Sequence, residues 1–204
     1  MSLKSINKEI QEIKMTKLLF FAGSARSGSL NQKLAQRAAQ IAQDKGADVT
    51  VIDLKDFQMP LYDGDLEMAE GLPENAIKLK KLFIEHDGFY IASPEYNSSF
   101  SALLKNSFDW ISRPHEKDET PLSAYSGKVA AIGSIAPGAL GGLRGLVPLR
   151  MMLGNIAVHV VPNQAAISFG FEAFDDKGEL KDERHLQMLK ASIDQFVQTA
   201  QLLQ

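Results

Sequence analysis

The sequence predicts an α/β fold in which helices cover both faces of a parallel sheet of five strands. Short apolar runs without polar alternation recur along the chain, which is typical of strands buried on both faces. They alternate with longer stretches whose apolar residues recur at helical spacing, as expected of successive βα units. No internal repeat or linker interrupts this alternation, and a length of 204 residues favours one domain.

Each predicted element is bounded by residues that favour turns. The strands are predicted at residues 18–22, 49–52, 89–92, 129–132 and 157–161. The helices are predicted at residues 31–45, 102–111, 143–153 and 182–202, with a further helix that begins near Pro73. The connection after the second strand contains Pro60, Gly64 and Gly71, and no regular element is predicted there.

Composition excludes several classes of protein. A net charge of −3 argues against a nucleic-acid partner, because phosphate binding needs a concentrated basic face. The absence of Cys excludes disulfides, thiolate zinc sites and iron–sulfur clusters. The four His residues lack metal-ligand spacing, so no metal site is predicted. There is no membrane-length apolar run and no signal-peptide core, which together predict a cytoplasmic protein without a membrane partner.

The first fourteen residues differ from the rest of the chain. They are polar and charged, and they precede a second methionine at Met15. We interpret residues 1–14 as an N-terminal arm or extension, as an added segment, or as residues ahead of the true start. The predicted domain therefore spans residues 15–204.

Three loops with unusual composition follow the first, third and fourth predicted strands. They span residues 23–31, 93–99 and 133–142. In doubly wound sheets, ligands bind beyond the carboxyl ends of the strands, where the strand order reverses. The three loops are therefore expected to meet at one ligand.

The first loop has the composition of a phosphate-binding loop. Glycines let backbone N–H groups converge, and the helix that follows adds partial positive charge. Ser24, Ser29 and Asn31 can donate hydrogen bonds, and Arg26 supplies a fixed cation. The alternative is an ordinary turn in which Ser29 or Asn31 only caps the helix.

Two better-known phosphate loops do not fit. Gly23 and Gly28 have the spacing of a nucleotide triphosphatase loop, but Ser29 stands where that loop has lysine. The dinucleotide fingerprint also lacks its glycines. Asp53 lies near the end of the second strand, where a ribose-binding carboxylate could lie, and without those glycines we interpret it as a turn residue.

The other two loops have features that suit a planar ligand. Pro94 and Tyr96 in the second loop offer a fixed backbone and a broad apolar face, although a type I turn has the same composition. Gly141 and Gly142 in the third loop permit close approach of a planar ligand or of another backbone segment. The alternative there is a flexible turn.

Five short motifs together resemble the NADPH-dependent FMN reductase family, which includes bacterial quinone, chromate and azo-dye reductases. They are Gly23-Ser24-x-Arg26-x-x-Ser29-x-Asn31, Pro60-Leu61-Tyr62, Ser93-Pro94-Glu95-Tyr96-Asn97, Leu104-Lys105-Asn106-x-x-Asp109-Trp110 and Gly138-x-x-Gly141-Gly142-x-Arg144. The resemblance extends from Lys17 to the last helix. It implies a flavodoxin-like three-layer sandwich with strand order 2-1-3-4-5.

The resemblance also implies which residues bind FMN. Those expected to hold its phosphate are Ser24, Arg26, Ser29, Leu30 and Asn31. Those expected to contact its ring and ribityl chain are Pro94, Glu95, Tyr96 and Asn97. The turn after the fourth strand, with Ala136 and Gly138, would meet the pyrimidine edge of the ring. Many relatives have Ser where this chain has Ala136, so a side-chain hydrogen bond to the flavin is expected to be missing, although a backbone amide could still serve in its place.

The activity implied is transfer of hydride from NADPH or NADH to bound FMN, followed by reduction of a small acceptor such as a quinone, a flavin, an azo compound or chromate. The flavin supplies the chemistry, so no catalytic acid or base is predicted. A homodimer or homotetramer is implied, with apolar surface from Phe100, Leu103, Leu104, Phe108 and Trp110, for which core packing is the alternative. The second hypothesis is a flavodoxin-like electron carrier that acts with protein partners. Arg26 and the modest net charge favour the reductase.

Overall fold

A computed structural model describes residues 15–204, and its central sheet has the predicted strand order. The strands are β1 Lys17–Ala22, β2 Asp48–Val51, β3 Gly88–Ala92, β4 Val129–Ile135, β5 His159–Val160 and β6 Ala165–Ile167. The first five lie in the order β2-β1-β3-β4-β5, and every neighbouring pair is parallel. The predicted α/β class and order are therefore confirmed. The N-terminal arm predicted at residues 1–14 lies outside the described residues.

Helices cover both faces of the sheet and produce three layers. Their bounds are α1 Leu30–Asp44, α2 Gly64–Glu70, α3 Glu74–Glu85, α4 Ala102–Ile111, α5 Leu143–Asn155 and α6 Glu183–Leu202. Buried residues of α1 and α6 share one apolar cluster with the sheet, and those of α3, α4 and α5 share another. All side chains of β3 and β4 are buried, because parallel strands in the middle of such a sheet contact helices on both sides.

The fifth strand is interrupted, which the sequence did not predict. β5 pairs with the start of β4 and β6 pairs with its end, so both lie beside the same strand. Pro162 lies between them, and proline has no N–H for a ladder hydrogen bond. The Arg150 guanidinium donates to the carbonyl oxygens of Val161 at 2.9 Å and Pro162 at 3.3 Å. These bonds satisfy backbone acceptors that the break leaves without strand partners.

The connection after β2 contains a helix that the sequence analysis missed. α2 has no buried residue, so apolar periodicity could not reveal it. The connection is fastened to α4 at Pro60, whose carbonyl oxygen accepts from Trp110 Nε1 at 2.8 Å and from Asn106 Nδ2 at 2.9 Å. Trp110 is completely buried.

No helix in residues 15–204 is long and apolar enough to cross a membrane.

Candidate functional site

A cleft lies at the carboxyl edge of the sheet, where the three loops meet. The residues that line it are Ser24, Arg26, Ser29, Leu30, Asn31, Pro94, Glu95, Tyr96, Ile135, Ala136, Pro137 and Phe171. Nine of the eleven predicted binding residues are among them; Asn97 and Gly138 are not. The loops converge because β1 and β4 both lie beside β3, so their carboxyl ends are neighbours.

The first loop places a helix N-terminus at the floor of the cleft. Ser29 is the N-cap of α1, and its hydroxyl accepts from the Gln32 N–H at 3.4 Å. The other N–H groups of the first turn have no partner within the helix and carry its positive dipole end. Arg26 is exposed and forms no ion pair within residues 15–204. Among the described residues, this end of the cleft therefore combines an exposed, unpaired cation with N–H groups that have no helical partner, which suits an anion.

Asn31 lines the cleft, but its side chain holds the protein together. Its Nδ2 donates to the Ile135 carbonyl oxygen at 3.1 Å, and its Oδ1 accepts from the Ile135 N–H at 3.2 Å. Asn31 is 5% exposed, so both polar atoms are paired inside the core. The amide thereby fixes the distance between the first loop and the end of β4.

The second loop is a tight turn of a different type from the one the sequence allowed. The Tyr96 N–H donates to the Ser99 carbonyl oxygen at 2.9 Å, and the reverse bond is 3.1 Å. Asn97 and Ser98 have φ of 52° and 64°, and positive φ at both central residues is the signature of type I′ rather than type I. Tyr96 is 54% exposed and lines the cleft, so its ring is available to a ligand.

Glu95 also has a structural role. Its side chain is 9% exposed, and its Oε1 accepts from Arg144 Nε at 2.9 Å and from Nη2 at 2.7 Å. Its Oε2 accepts from the Gly145 N–H at 3.2 Å in the first turn of α5. The N-cap of α5 is Gly142, which has no side chain to supply a cap. Glu95 therefore caps α5 from a neighbouring loop and adds negative charge at the positive end of its dipole.

The third loop is shorter than predicted, because β4 extends to Ile135. A Cβ on Gly141 would lie 2.6 Å from the carbonyl carbon of Ile167, so this glycine allows close approach of backbone rather than of a ligand. The Ala136 N–H donates to the Ile167 carbonyl oxygen at 3.2 Å. The amide that could replace the missing serine hydroxyl is therefore already paired.

One wall of the cleft was not predicted from the sequence. Phe171 lines it and is 72% exposed. The preceding Gly170 lies so close to the other loops that a Cβ there would lie 2.8 Å from Ile135 Cγ1 and 2.9 Å from Leu30 Cδ1. The sequence signal that could have indicated it is the pair of phenylalanines on either side of a glycine at residues 169–171. No strand was predicted directly before these residues, so they were not expected at the edge of the sheet.

Tyr90 in β3 has a fully buried hydroxyl without a hydrogen-bond partner within residues 15–204. Burial raises the pKa of this hydroxyl because the phenolate would be desolvated. Tyr90 stacks on Phe20 with ring centroids 5.6 Å apart. Its ring belongs to the apolar cluster that the sheet shares with α1 and α6.

The sheet and its cleft define the class of protein. A cationic, donor-rich end lies next to an end that presents Pro94, Tyr96 and Phe171, which suits a planar ring that carries a phosphate. The protein has a flavodoxin-like fold, and the cleft lies at the switch point of its doubly wound sheet, where such folds bind ligands.

Comparison with known proteins identifies the family. Residues 16–172 match the NADPH-dependent FMN reductase family, and the chain belongs to it. It is 34% identical over 178 residues to an NAD(P)H-dependent FMN reductase of Pseudomonas aeruginosa, covering 87% of this chain and 91% of that protein. It is 32% identical to a quinone reductase of Pseudomonas putida, covering 88% of this chain and 92% of that one. The structure of a flavoenzyme NAD(P)H:(acceptor) oxidoreductase of Paracoccus denitrificans aligns with a TM-score of 0.78 at 26% identity, covering 92% of this chain and 98% of that one.

Proposed function

We propose that residues 15–204 form one FMN-binding domain of an NAD(P)H-dependent oxidoreductase. Bound FMN would pass electrons from NADPH or NADH to a small acceptor such as a quinone, a flavin, an azo compound or chromate. The observation that carries this proposal is the cleft itself, with Arg26 and the α1 N-terminus at one end and Tyr96 at the other. Family membership and the names of the relatives support it.

We propose that eleven residues contact the FMN or shape its site. They are Ser24, Arg26, Ser29, Leu30, Asn31, Pro94, Glu95, Tyr96, Asn97, Ala136 and Gly138. Their tasks differ. Arg26 and the N–H groups at the start of α1 neutralise the phosphate, and Pro94 and Tyr96 contact the ring.

Asn31 and Glu95 act through other parts of the protein. Their side chains bond to Ile135 and to the first turn of α5, so they hold the loops at a fixed separation. A site whose loops are fixed before binding loses less entropy when the ligand enters.

The first test is the visible spectrum of the purified protein, before and after anaerobic addition of NADPH or NADH. Flavin absorbance that bleaches on addition and returns with a quinone supports the reductase. Failure to bind FMN would refute the site, and flavin that neither NADPH nor NADH reduces would refute the activity.

Arg26 and the modest net charge disfavour the electron-carrier alternative. A carrier that docks on proteins is expected to have a Ser/Thr-rich loop and a strongly acidic surface, whereas this loop contains Arg26 and the net charge is −3. Reductive titration separates the two. A reductase is reduced in one two-electron step, and a stable one-electron stage would indicate a carrier.

We also propose that the protein is a cytoplasmic homodimer or homotetramer. Of the five residues expected at the contact, Leu104, Phe108 and Trp110 are buried within one chain, whereas Phe100 and Leu103 are half-buried and pack against its core. Support comes from α5, where three exposed apolar residues follow one another at intervals of four residues: Leu143, Val147 and Met151. Residues at this spacing share one face of a helix, and an apolar face of this kind is typical of a subunit contact.

A further inference from the structure

Phe171 is an exposed aromatic side chain to which the proposed FMN site assigns no task. It lines the cleft and is 72% exposed. Within residues 15–204, it belongs to neither of the two apolar clusters that pack the sheet against its helices. Because the ring buries so little area in the fold, it contributes little to stability and is available to contact a ligand.

The backbone around Phe171 is fixed by its contacts with the third loop. The Gly170 N–H donates to the Ala136 carbonyl oxygen at 3.0 Å. The Glu172 N–H donates to the Phe169 carbonyl oxygen at 3.0 Å, which closes a turn around Gly170 and Phe171. A ring that is carried on a backbone fixed in advance loses less entropy when a ligand binds to it.

Tyr96 and Phe171 reach the cleft from opposite sides of β4. Gly133 in β4 pairs with Ala92 of β3 on one side and with Ala165 of β6 on the other. Tyr96 follows β3 and Phe171 follows β6, and both line the cleft. A flavin ring that contacts Tyr96, as proposed above, therefore has Phe171 on the opposite side of the cleft. A second planar ring can lie between them.

The charges of the cleft do not favour an anionic acceptor. Among the described residues that line it, one is a cation, Arg26, and one is an anion, Glu95. Arg26 is assigned to the phosphate of FMN, and Glu95 is paired with Arg144. No cation of this lining remains for an oxyanion such as chromate, whose desolvation would then be unfavourable. The faces of Phe171 and Tyr96 instead suit a neutral aromatic ring.

We infer that Phe171 selects the electron acceptor by stacking against its planar aromatic ring, so that quinones and other flat aromatic acceptors are preferred over oxyanions. The inference rests on the proposed function and deepens it, because it names the class of acceptor and the residue that selects it. In the overall reaction, one NADPH or NADH, one proton and one quinone give the oxidised nicotinamide and one hydroquinone. Phe171 transfers neither electrons nor protons. It holds the acceptor in the cleft.

The test compares two substitutions of Phe171 with a neighbouring control. Phe171→Ala removes the ring, and Phe171→Tyr keeps it. Phe169→Ala is the matched control, since Phe169 is 59% exposed on the other side of Gly170 and does not line the cleft. The probes are menadione, which is a neutral planar quinone, and ferricyanide, which is an anion without an aromatic ring.

Binding and turnover are measured separately. The oxidised FMN-loaded protein is titrated with menadione without an electron donor, so that affinity is measured in the absence of turnover. Phe171→Ala should lose about tenfold in affinity for menadione and raise its KM about tenfold. Its affinity for FMN, its anaerobic rate of flavin reduction by NADPH or NADH, and its rate with ferricyanide should equal those of wild type. Phe171→Tyr and Phe169→Ala should bind menadione as wild type does.

The inference is overturned if wild type shows no saturable binding of menadione, if Phe171→Ala binds it as tightly as wild type, or if Phe169→Ala shows the same loss. An equal loss of FMN affinity in Phe171→Ala also overturns it, because Phe171 then belongs to the flavin site. Equally slowed flavin reduction would assign Phe171 to the donor and overturn it as well. A wild-type protein that does not bind FMN, or whose flavin neither NADPH nor NADH reduces, refutes the proposed function, and the inference falls with it.

Discussion

At the scale of single residues, the cleft separates side chains that hold the protein together from side chains that remain free. Asn31 is buried and Glu95 is partly buried, and both bond to other parts of the protein, whereas Arg26 and Tyr96 are exposed. All four were predicted to bind FMN, because the position of a residue in these loops predicts only that it lies near a ligand. It could not assign their tasks, since these depend on contacts with Ile135 and Gly145 that are distant along the chain.

Arg26→Ala should weaken FMN binding without weakening the fold. Arg26 has no ion pair within residues 15–204, so its removal leaves no protein group without a partner. Loss of one charge-assisted contact to phosphate should lower the affinity for FMN about tenfold. Titration of the flavin-free protein measures this, with Lys33→Ala in α1 as the matched loss of an exposed cation. Equal effects of the two variants would mean that only net charge matters.

Glu95→Ala should destabilise the protein because α5 loses the carboxylate that accepts from the N–H of Gly145 in its first turn. The expected decrease in the free energy of unfolding is about 1–2 kcal/mol. Glu95→Gln keeps an oxygen that can accept from the Gly145 N–H, so it should lose less. Urea unfolding monitored by circular dichroism compares the three proteins. Wild-type stability in Glu95→Ala would show that the carboxylate does not cap α5.

At the scale of elements, the sequence predicted what apolar periodicity can report. The strands at β1, β3 and β4 were found because their side chains are buried on both faces. α2 was missed because it buries nothing. The break between β5 and β6 was missed because the partner of its carbonyls, Arg150, belongs to another element.

The connection between α4 and β4 is anchored by a buried ion pair. Lys80 of α3 is 1% exposed, and it bonds to Glu119 and to the Arg113 carbonyl oxygen. Burial raises the pKa of Glu119, but hydrogen bonds from Lys80, Ser123 and the His115 N–H, together with the Lys80 charge, lower it from 4.5 to about 2. The depressed pKa means that Glu119 contributes stability above pH 4.5, and that this contribution is lost as the pH falls towards about 2.

Glu119→Gln should therefore destabilise the protein by about 3 kcal/mol at neutral pH, because it leaves the Lys80 charge buried without a counter-ion. Between pH 5 and pH 3 the variant should lose less stability than wild type, since the group that titrates has been removed. Urea unfolding over this pH range measures both effects. Glu74→Gln is the matched control, because Glu74 pairs with Lys78 on the exposed surface of α3, the helix that contains Lys80. This variant should change stability little.

An unchanged pH slope in Glu119→Gln would show that other carboxylates cause the loss of stability in acid. A further variant that also replaces Lys80 with Met should be more stable than Glu119→Gln alone, because no unpaired charge remains in the core.

At the scale of the whole molecule, the order of the strands made the site predictable. Three loops far apart in the sequence reach one edge because β1 and β4 lie on either side of β3. The predicted alternation of strands and helices implies a parallel sheet, and this was enough to predict that the three loops meet at one edge. Phe171 could not be predicted in this way, since it follows β6, which depends on the interruption of the fifth strand.

The proposed homodimer or homotetramer requires an exposed apolar surface, and α5 has one. Val147 is 67% exposed and Met151 is 65% exposed on α5. An apolar face on one helix can pack against the same face of a second copy about a two-fold axis. Val147→Glu should place two like charges at this contact and convert the oligomer to monomers, as measured by light scattering over a dilution series. Leu202→Glu, at the exposed end of α6, is the matched control and should remain associated. A wild-type protein that is monomeric at every concentration, or a Val147→Glu variant that still associates, would exclude α5 as the subunit contact.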